Sequence, residues 1–469
     1  MDPRIIEKIN CLWEPIYPTL ARFISGLYAK DQGDVLELGP FAGGIAKELL
    51  ALAPGFRVVV ADTAIDLFES LRTQIRRTPL AQRMMIVPSP LSPLIFVDQS
   101  FELIVFRGAF FFLTHDILRE IYRVLRPGGI AIVGGGYGPF TPENLKEEIA
   151  EESKRLNLLL GKRWIAEADL TPMIDQASLQ GDAEISHEGG LWVVLRKKGD
   201  VNKELRGLAQ ALALGNHEII SLVGGGGKTT LMFTLAKELH DRGSKIITTT
   251  TTKIFEPAPE QTPCLVIEAD PAHAIFAAKK GLQRNGHVTF AAQRFPGGKI
   301  GGVEPQFIAT MFQEISADYI IVEADGARMR PLKAPGNHEP VIPSVTTHLI
   351  PLVGIDALGR PLDEETAFRS ERVAELSGAQ LGGLITPHLI ATVMTHPWGL
   401  VKGAPEGTKI VPVINKVETT SGLAGAHEVA RELLDMGAGQ IERVVLSRLF
   451  FRLSVVEVVE RRDGSDSSL

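Results

Sequence analysis

A run of four glycines, one lysine and two threonines, at residues 224–230, constrains this chain more than any other feature. It follows a mostly apolar segment at 219–223, in a predicted strand that begins at Glu218, and apolar residues then recur about every 3.6 positions, at Leu231, Leu235 and Leu239. This order predicts a buried strand, a glycine turn and an amphipathic helix. Glycines let successive backbone N–H groups point inward, and a helix N-terminus adds partial positive charge, so the run predicts a phosphate cradle.

The predicted nucleotide-binding residues of this run are Gly224, Gly225, Gly226, Gly227, Lys228, Thr229 and Thr230. The Lys228 ammonium suits the β- and γ-phosphates and is a predicted catalytic group, while the Thr229 hydroxyl suits a magnesium ion. The run departs from the pattern G-x-x-x-x-G-K-[ST], because Leu222 stands where the first glycine is expected. We therefore expect a slightly tighter loop. The alternative is a glycine-rich turn with a chance lysine.

An apolar segment at 319–322 leads into two carboxylates, Glu323 and Asp325, and then into Gly326. A buried strand that ends in two acids is costly unless the acids have partners. We predict that Glu323 and Asp325 are catalytic and that Glu323 joins Thr229 at a metal ion. Gly326 would sense the γ-phosphate.

Two further segments leave two interpretations open. The threonines at 248–252 and Lys253 follow a predicted strand at 245–248, where they would meet magnesium or the γ-phosphate, or would only end a threonine-rich strand. Arg328, Arg330 and Lys333 would bind an anionic substrate or form a solvated basic loop.

Another predicted strand, at 411–414, ends in Asn415 and Lys416, with Glu418 two residues later. In GTPases, Asn-Lys-x-Asp reads guanine: the acid accepts hydrogen bonds from the base and the lysine packs along the ring. Glu418 offers the same carboxylate with one more methylene. Ser447 ends a later strand at 444–447, where GTPases place a loop behind the base. These four residues complete the predicted nucleotide site and favour GTP over ATP.

The N-terminal half contains a second strand, glycine loop and helix pattern, at 34–44. Gly39 permits a sharp turn, and Gly43 permits close approach to a ligand. Glu37 lies at the end of the strand. Asp62 ends the next strand, where a carboxylate accepts hydrogen bonds from a ribose. The pattern alone is common to many turns.

Strands alternate with helices through both halves, which predicts an α/β fold with parallel sheets. A chain of 469 residues exceeds one ordinary core, and we predict domains at 1–200 and 204–469, with the boundary in the charged stretch 196–203. In the first half we predict strands at 34–38, 57–61, 84–87, 102–106 and 130–134, a turn at 127–129, a helix at 142–160 and a hairpin at 183–185 and 190–196. The second half begins with a predicted helix at 205–214.

Composition limits the function classes. The formal net charge of -7 gives no basic face for nucleic acid. Cys11 and Cys264 have neither metal-ligand spacing nor a disulfide pattern, which fits a reducing cytosol. We see no signal peptide and no apolar stretch of membrane-spanning length. The expectation is a cytoplasmic protein that contacts neither nucleic acid nor membrane, with its oligomeric state left open.

Residues 20–198 resemble the class I S-adenosylmethionine-dependent methyltransferases, through 37–43, Asp62, 98–105 and 118–129. The resemblance implies a Rossmann-like methyltransferase-type fold that binds S-adenosylmethionine at Glu37, Gly39, Gly43, Asp62 and Ser89. Ser89 stands where the family usually has an Asp for the adenine amino group, which implies weakened or rerouted adenine recognition. The alternative is a domain that keeps the fold and binds only a partner, or nothing.

The second half, roughly residues 204–460, resembles the YqeC family through segments at 222–230, 248–255, 322–327, 330–335, 338–343, 353–359 and 414–418. That resemblance implies a P-loop nucleotide-binding domain whose shortened phosphate loop is a family trait. It also implies an accessory role in maturing selenium-dependent molybdenum hydroxylases, with their maturation proteins as partners.

Three functions remain open for the second half. The first is an Mg²⁺-dependent nucleotidase, using GTP or ATP, that drives maturation by switching conformation. The second is a kinase or activating enzyme for a small anionic selenium species. The third is a binding scaffold without catalysis.

Overall fold

The computed structural model describes residues 2–76, 78–161, 165–199 and 207–461. The chain divides into two compact units, Met1–Glu204 and Leu205–Leu469, and each is treated by itself. The predicted domain limits at 200 and 204 lie outside the described residues. Among the described helices, none combines the length and the apolar character needed to cross a lipid bilayer.

The N-terminal unit alternates strands and helices. Its helices are α1 Pro3–Trp13, α2 Tyr17–Tyr28, α3 Gly44–Leu52, α4 Glu69–Ile75, α5 His115–Val124, α6 Glu143–Leu159 and α7 Leu170–Gln176. Its strands are β1 Gln32–Leu38, β2 Gly55–Asp62, β3 Met84–Pro88, β4 Phe101–Arg107, β5 Leu125–Gly136, β6 Ala183–Ser186 and β7 Gly190–Arg196.

The strands of this unit form a sheet in the order β3-β2-β1-β4-β5-β7-β6. The first five strands pair in parallel, and β7 runs antiparallel to β5 and β6. The chain leaves β1 toward β2 on one side and returns to β4 on the other. Open α/β sheets bind ligands at the carboxyl ends of strands beside such a reversal. The predicted glycine loop lies there, because it follows β1.

The predicted strands and the final hairpin of this half are present, within one to five residues at their ends. One prediction was wrong. The turn expected at 127–129 is part of β5, where the pairing shifts from Phe101 opposite Leu125 to Leu103 opposite Ile130. The intervening residues bulge out of the ladder, and Gly128 accommodates this with φ +73°.

The C-terminal unit contains the helices α8 Leu208–Ala211, α9 Lys228–Asp241, α10 Pro271–Asn285, α11 Pro305–Glu314, α12 Ser370–Ser377, α13 Pro387–Thr395 and α14 Thr420–Met436. Its strands are β8 Glu218–Gly224, β9 Ile246–Thr250, β10 Lys253–Phe255, β11 Leu265–Ile267, β12 His287–Ala291, β13 Gln293–Phe295, β14 Lys299–Gly301, β15 Tyr319–Glu323, β16 Leu332–Lys333, β17 His348–Gly354, β18 Ala367–Phe368, β19 Lys409–Ile410, β20 Val413–Asn415, β21 Arg443–Ser447 and β22 Val455–Glu460.

The main sheet of this unit has the order β11-β12-β9-β15-β8-β17-β20-β21-β22, with β19 also paired to β17. All pairs are parallel except β21 with β22. The strand β8 is central, so the chain moves first toward β15 and β9 and later toward β17 and β20. This reversal places the segments that follow β8, β15 and β20 at one edge of the sheet. The helix expected at 205–214 is shorter, and residues 205–206 lie outside the described chain.

In the N-terminal unit, a buried ion cluster holds together the amino ends of the strands β1, β4 and β5. The Arg126 guanidinium lies 3.1 Å from the Asp34 carboxylate and 2.7 Å from that of Glu102. Its Nε also donates to the Gln99 carbonyl. Asp34 is buried, so it has little access to water once the arginine is removed.

We expect Arg126→Met to destabilise the N-terminal unit by about 3–5 kcal/mol, because it leaves two neighbouring carboxylates without their cation. Urea unfolding of the full chain measures this change. The matched control is Arg155→Met, whose ion pair with Glu152 is exposed, and this variant should unfold like the parent. Equal midpoints for both variants would contradict the assignment.

Candidate functional sites

The glycine run between β8 and α9 is packed tightly against three other segments. A Cβ atom at Gly224 would lie 2.3 Å from the Leu352 carbonyl oxygen, and one at Gly226 would lie 2.2 Å from the Gly354 nitrogen. Both residues also have positive φ, +97° and +80°. A side chain at either position would therefore collide with backbone that cannot give way.

The helix that follows presents Lys228 at its first position. Since the Leu231 N–H is the first to bond back, to Gly227, the N–H groups of 228–230 lie in the unbonded first turn. The Lys228 ammonium is buried, donates to the Gly224 carbonyl, and lies 3.1 Å from Asp325 and 3.9 Å from Glu323. The predicted cation and both predicted acids thus meet at one place.

The Thr229 hydroxyl donates to the Glu323 carboxylate at 2.7 Å. Burial raises the pKa of Glu323, and the Lys228 charge and the Thr229 hydrogen bond oppose that rise. A hydroxyl beside a carboxylate is the oxygen donor set that Mg²⁺ uses when phosphates complete its shell. The residues present therefore fit the predicted magnesium site.

Asp325 is completely buried and accepts from the Gly224 N–H at 3.1 Å. Its second cation is Lys333, whose ammonium lies 3.0 Å from it. Lys333 is completely buried and also donates to the Gly326 carbonyl at 2.8 Å. It is therefore part of the site's interior, so the interpretation as a solvated loop was wrong for this lysine, and contact with an anionic substrate stays a prediction.

The run of ion pairs continues from Lys333 to Glu339 and Arg369. The Glu339 carboxylate lies 2.6 Å from each of the two cations. Burial alone would raise the pKa of Glu339, but its bonds to Arg369 and Lys333 outweigh that effect and lower the pKa to about 2. A chain of alternating charges thus joins the glycine loop to the loop at 334–340. The sequence signal for it was weak, because Lys228 and Arg369 lie far from the other three charges in the chain.

The threonines after β9 make bonds inside the protein. The hydroxyl groups of Thr249, Thr250 and Thr251 donate to backbone carbonyls. Their acceptors are Phe290, Glu323 and Val341, respectively. Lys253 lies over the Phe295 ring, with its ammonium 3.8 Å from the ring centre. The structure therefore favours the structural interpretation of this segment over a phosphate or metal contact.

Asn415 connects the glycine loop to the segment after β21. Its Nδ2 donates to the Gly226 carbonyl at 2.8 Å. Its Oδ1 accepts from the Leu449 N–H at 3.0 Å and from the Ser447 hydroxyl at 3.2 Å. Asn415 and Ser447 therefore lie beside the predicted phosphate cradle, where they fix its position through the loop backbone.

Lys416 has positive φ, +65°, and pairs with Asp356 at 2.7 Å on the partly exposed side of the site. Glu418 lies close enough to both for their charges to act on it. Burial raises the pKa of Glu418 to about 7, with Lys416 lowering it and Asp356 raising it. Asp356 is an additional acid that the sequence pattern did not single out.

In the N-terminal unit, the Glu37 carboxylate is buried at the start of α3. One oxygen accepts from the Gly43 and Ala46 N–H groups at 2.8 and 2.7 Å. The other has no hydrogen-bond partner among the described residues. Burial raises the pKa of Glu37 to about 7, although these two N–H groups favour the charged form. The predicted cofactor residue is thus engaged with the helix N-terminus.

A cavity of about 660 Å³ opens beside the carboxyl ends of β2 and β3. Asp62 and Ser89 line it together with Leu67, Phe112 and Thr114. The Ser89 hydroxyl donates to the Pro90 carbonyl at 2.9 Å. The cavity thus brings together two of the five predicted cofactor residues. Glu37, Gly39 and Gly43 are not among its lining residues.

Arg107, at the end of β4, has a role that the sequence did not indicate. It is buried, donates to Asn10, Tyr17 and the Phe41 carbonyl at 2.9–3.0 Å, and lies over three aromatic rings, with the nearest centre, that of Trp13, at 4.9 Å. The Tyr17 pKa rises to about 12, because burial outweighs the Arg107 charge. The position thus anchors α1 and α2 to the sheet.

Comparison with known proteins separates the two halves. The family model YqeC, described as YqeC protein, matches residues 220–371, and the model of a methyltransferase domain matches residues 36–133. A curated relative from Escherichia coli K12, named as the uncharacterized protein YqeC, is 32% identical over 215 residues, covering 46% of this chain and 82% of the relative.

Solved structures resemble the N-terminal half. A Methanococcus maripaludis protein, assigned as an S-adenosyl-L-methionine-dependent methyltransferase, is 25% identical, with 43% of this chain and 94% of that chain covered and a TM-score of 0.38. A Burkholderia thailandensis O-methyltransferase family protein is 12% identical, with 43% and 62% covered and a TM-score of 0.32. Because these scores are low, the Rossmann-like methyltransferase fold rests on the sheet order and the matched family model.

Glu37 gives a pH test of the N-terminal unit. Its folded-state pKa of about 7 lies above the ordinary 4.5, so within this window the folded unit holds a proton that the unfolded chain releases. The free energy of unfolding must then fall as pH rises through the window. We expect Glu37→Gln to remove this fall, on the order of 3 kcal/mol between pH 5 and 8.

Urea unfolding followed by tryptophan fluorescence measures the effect in a Trp398→Phe background, where the remaining tryptophans all precede residue 200. Glu143→Gln is the control, since Glu143 forms an exposed pair with Lys146. Identical pH slopes for the parent and Glu37→Gln would show that Glu37 ionises normally.

Proposed function

The chain belongs to the YqeC family, and on that premise we propose that residues 204–469 form a P-loop nucleotide-binding domain with Mg²⁺-dependent GTP or ATP hydrolysis. In this proposal the domain serves the maturation of a selenium-dependent molybdenum hydroxylase. It is fused to an N-terminal methyltransferase-like unit that binds S-adenosylmethionine. The maturation role rests on family resemblance, whereas nucleotide binding has support from the site itself.

The observation that carries the proposal is the meeting of Lys228, Thr229 and Glu323 at the start of a helix. The ammonium and the hydroxyl come from the first turn of α9, which follows β8, and the carboxylate comes from the end of β15, the strand beside β8. A glycine turn with a central lysine serves phosphate in this position. A purely structural turn has no need of a buried lysine facing two acids.

Each residue then has a defined task. The first-turn N–H groups at 228–230 would bind phosphate oxygens, and Lys228 would turn from Asp325 toward them. Thr229 and Glu323 would hold Mg²⁺, which when bound neutralises charge on the phosphates. Asp325 would fix the glycine loop through the Gly224 N–H.

GTP is favoured over ATP by the Asn415–Glu418 segment. Lys416 and Glu418 lie on the exposed side of the loop that Asn415 anchors, which is the arrangement a base-reading segment needs. An ionised Glu418 can accept from the two N–H donors of guanine, whereas adenine presents an acceptor at N1. Glu418, which is partly buried, and the nearby Asp356 are the carboxylates available to accept these hydrogen bonds.

The N-terminal unit supports a second function, binding of S-adenosylmethionine. The support is the cavity at the carboxyl ends of β2 and β3, where Asp62 would act as the ribose-binding acid and Leu67 and Phe112 offer apolar contact. The cofactor supplies an already activated methyl group. Asp62 would orient it through the ribose, and the apolar walls would exclude water from it.

We expect GTP with Mg²⁺ at about a hundred times its Kd to raise the Tm of the C-terminal unit, equivalent to about 3 kcal/mol, and Lys228→Ala to abolish the shift. A thermal-shift panel of GTP, ATP and Mg²⁺ on the full chain measures this. Lys237→Ala is the matched control, because Lys237 lies on the same helix and pairs at the surface with Asp241.

Thr229→Val tests the metal site in the same panel and should lose the increment that Mg²⁺ adds while keeping a nucleotide shift. In Lys228→Ala, Asp325 still has Lys333 as its cation, so the fold should persist. The Tm of this variant without nucleotide shows whether the substitution has damaged the fold. If neither GTP nor ATP shifts the parent, the nucleotide proposal is wrong.

S-adenosylmethionine should bind the parent, and Asp62→Asn should weaken it about tenfold or more, since hydrogen bonds to a charged acceptor contribute about 1.5–3 kcal/mol. Isothermal titration calorimetry on the full chain gives both Kd values. Asp66→Asn, an exposed acid four residues away, should bind like the parent. Unchanged affinity in Asp62→Asn would remove the ribose assignment.

A further inference from the structure

An open cleft of about 570 Å³ lies in the C-terminal unit beside the loop at 334–340. Three segments form it: this loop, the helix α12, and the turn that follows α13. Its polar and aromatic lining residues are Asn337, Arg372, Glu375, His396, Trp398 and Lys402. Most of these residues lie beyond the segments that suggested the nucleotide site, and the proposed hydrolysis does not use them.

The cleft offers mainly hydrogen-bond donors. Arg372 and Lys402 bring positive charge and Asn337 an amide, while Glu375 is the one acid among the lining residues. The Nδ1 of His396 accepts from the backbone N–H of Trp398 at 3.1 Å, so in the neutral ring the proton sits on Nε2 and makes it a donor. Donors in excess, with a net positive charge, favour an anion.

Trp398 adds a flat apolar surface at the same place. The residue is 59% exposed, although a tryptophan is ordinarily mostly buried. Beside two cations, such a ring suits a ligand that combines negative charge with a planar ring, since the ring can stack while the anion meets the donors.

The cleft is also joined to the glycine loop by named contacts. Lys402 donates to the Gly336 and Asn337 carbonyls at 3.0 and 2.7 Å. Two residues further on, Glu339 is held by the buried Lys333, which lies 3.0 Å from Asp325, the partner of Lys228. The loop at 334–340, which forms one wall of the cleft, is thus held at Glu339 by the ion pairs that reach the predicted phosphate site.

We propose that this cleft binds an organic anion with a planar ring, as the second substrate or cargo of the nucleotide-dependent domain. The role as second substrate rests on the proposed function, while binding itself does not. Glu375 pairs with Arg372 at 2.5 Å on an exposed surface, so the incoming anion displaces this carboxylate.

The test uses phenyl phosphate as the probe, titrated without nucleotide into the full chain and followed by ligand-observed NMR. Arg372→Gln should weaken binding about tenfold, and Trp398→Ala about fivefold. Glu375→Gln should strengthen binding, because it removes the competing charge. Arg242→Gln is the matched control, since Arg242 pairs with Glu238 on its own helix in the same way, and it should bind like the parent.

Inorganic phosphate should bind more weakly than phenyl phosphate, and equal affinities would overturn the planar-ring part. Three results would overturn the proposal that the cleft binds an anion. They are no binding of phenyl phosphate, equal binding by all variants, and weaker binding by Glu375→Gln. Loss of binding only in Lys228→Ala would also overturn it, while supporting an anion site at the glycine loop. Conversely, the variants could bind phenyl phosphate as expected while neither GTP nor ATP shifts the Tm. That result would support anion binding in the cleft and would show that the nucleotide proposal is wrong.

Discussion

The buried carboxylate of Asp325 lies between two ammonium groups, Lys228 at 3.1 Å and Lys333 at 3.0 Å, and the C-terminal site depends on this arrangement. Each of these charges would cost several kcal/mol to bury alone. Together, the opposite charges compensate one another's cost of burial. The Gly224 N–H adds a further hydrogen bond to the Asp325 carboxylate. Because the partners come from the glycine loop, the end of β15 and the strand β16, their positions are fixed jointly.

This arrangement makes the site sensitive to any anion that attracts Lys228. When that ammonium turns away, Asp325 keeps Lys333 as its cation, and Lys333 is then the group that balances Asp325 and Glu339 together. Lys333 also holds the Gly326 carbonyl, so the segment after β15 is tied to the same balance. The glycine loop and the loop at 334–340 are thus connected through three ion pairs that are all shorter than 3.2 Å.

The sequence predicted the strands and helices well but the partners of the buried charged side chains poorly, for a physical reason. Strand and helix patterns are local, so β8, α9 and β15 followed from hydrophobic periodicity, and the ends of the strands placed Lys228 near Glu323. Lys333, like Arg328 and Arg330, was expected to bind an anionic substrate or to lie in a solvated basic loop. Its burial depends on Glu339 and Asp325, which reach it through tertiary packing that no local pattern encodes. Arg107 is a similar case, since its ring contacts come from helices about ninety residues earlier.

The packing of neighbouring segments requires glycine at each of the positions 224–227. Added Cβ atoms would lie 2.2–2.7 Å from backbone or side-chain atoms of neighbouring segments, so close packing requires each glycine whether or not a phosphate binds. Glycine content alone therefore says little about a ligand. Lys228 and Thr229 are different, because packing does not require an ammonium and a hydroxyl that face two acids. The evidence for nucleotide binding thus rests on these polar groups, and the glycines only bring the backbone close enough for them to meet.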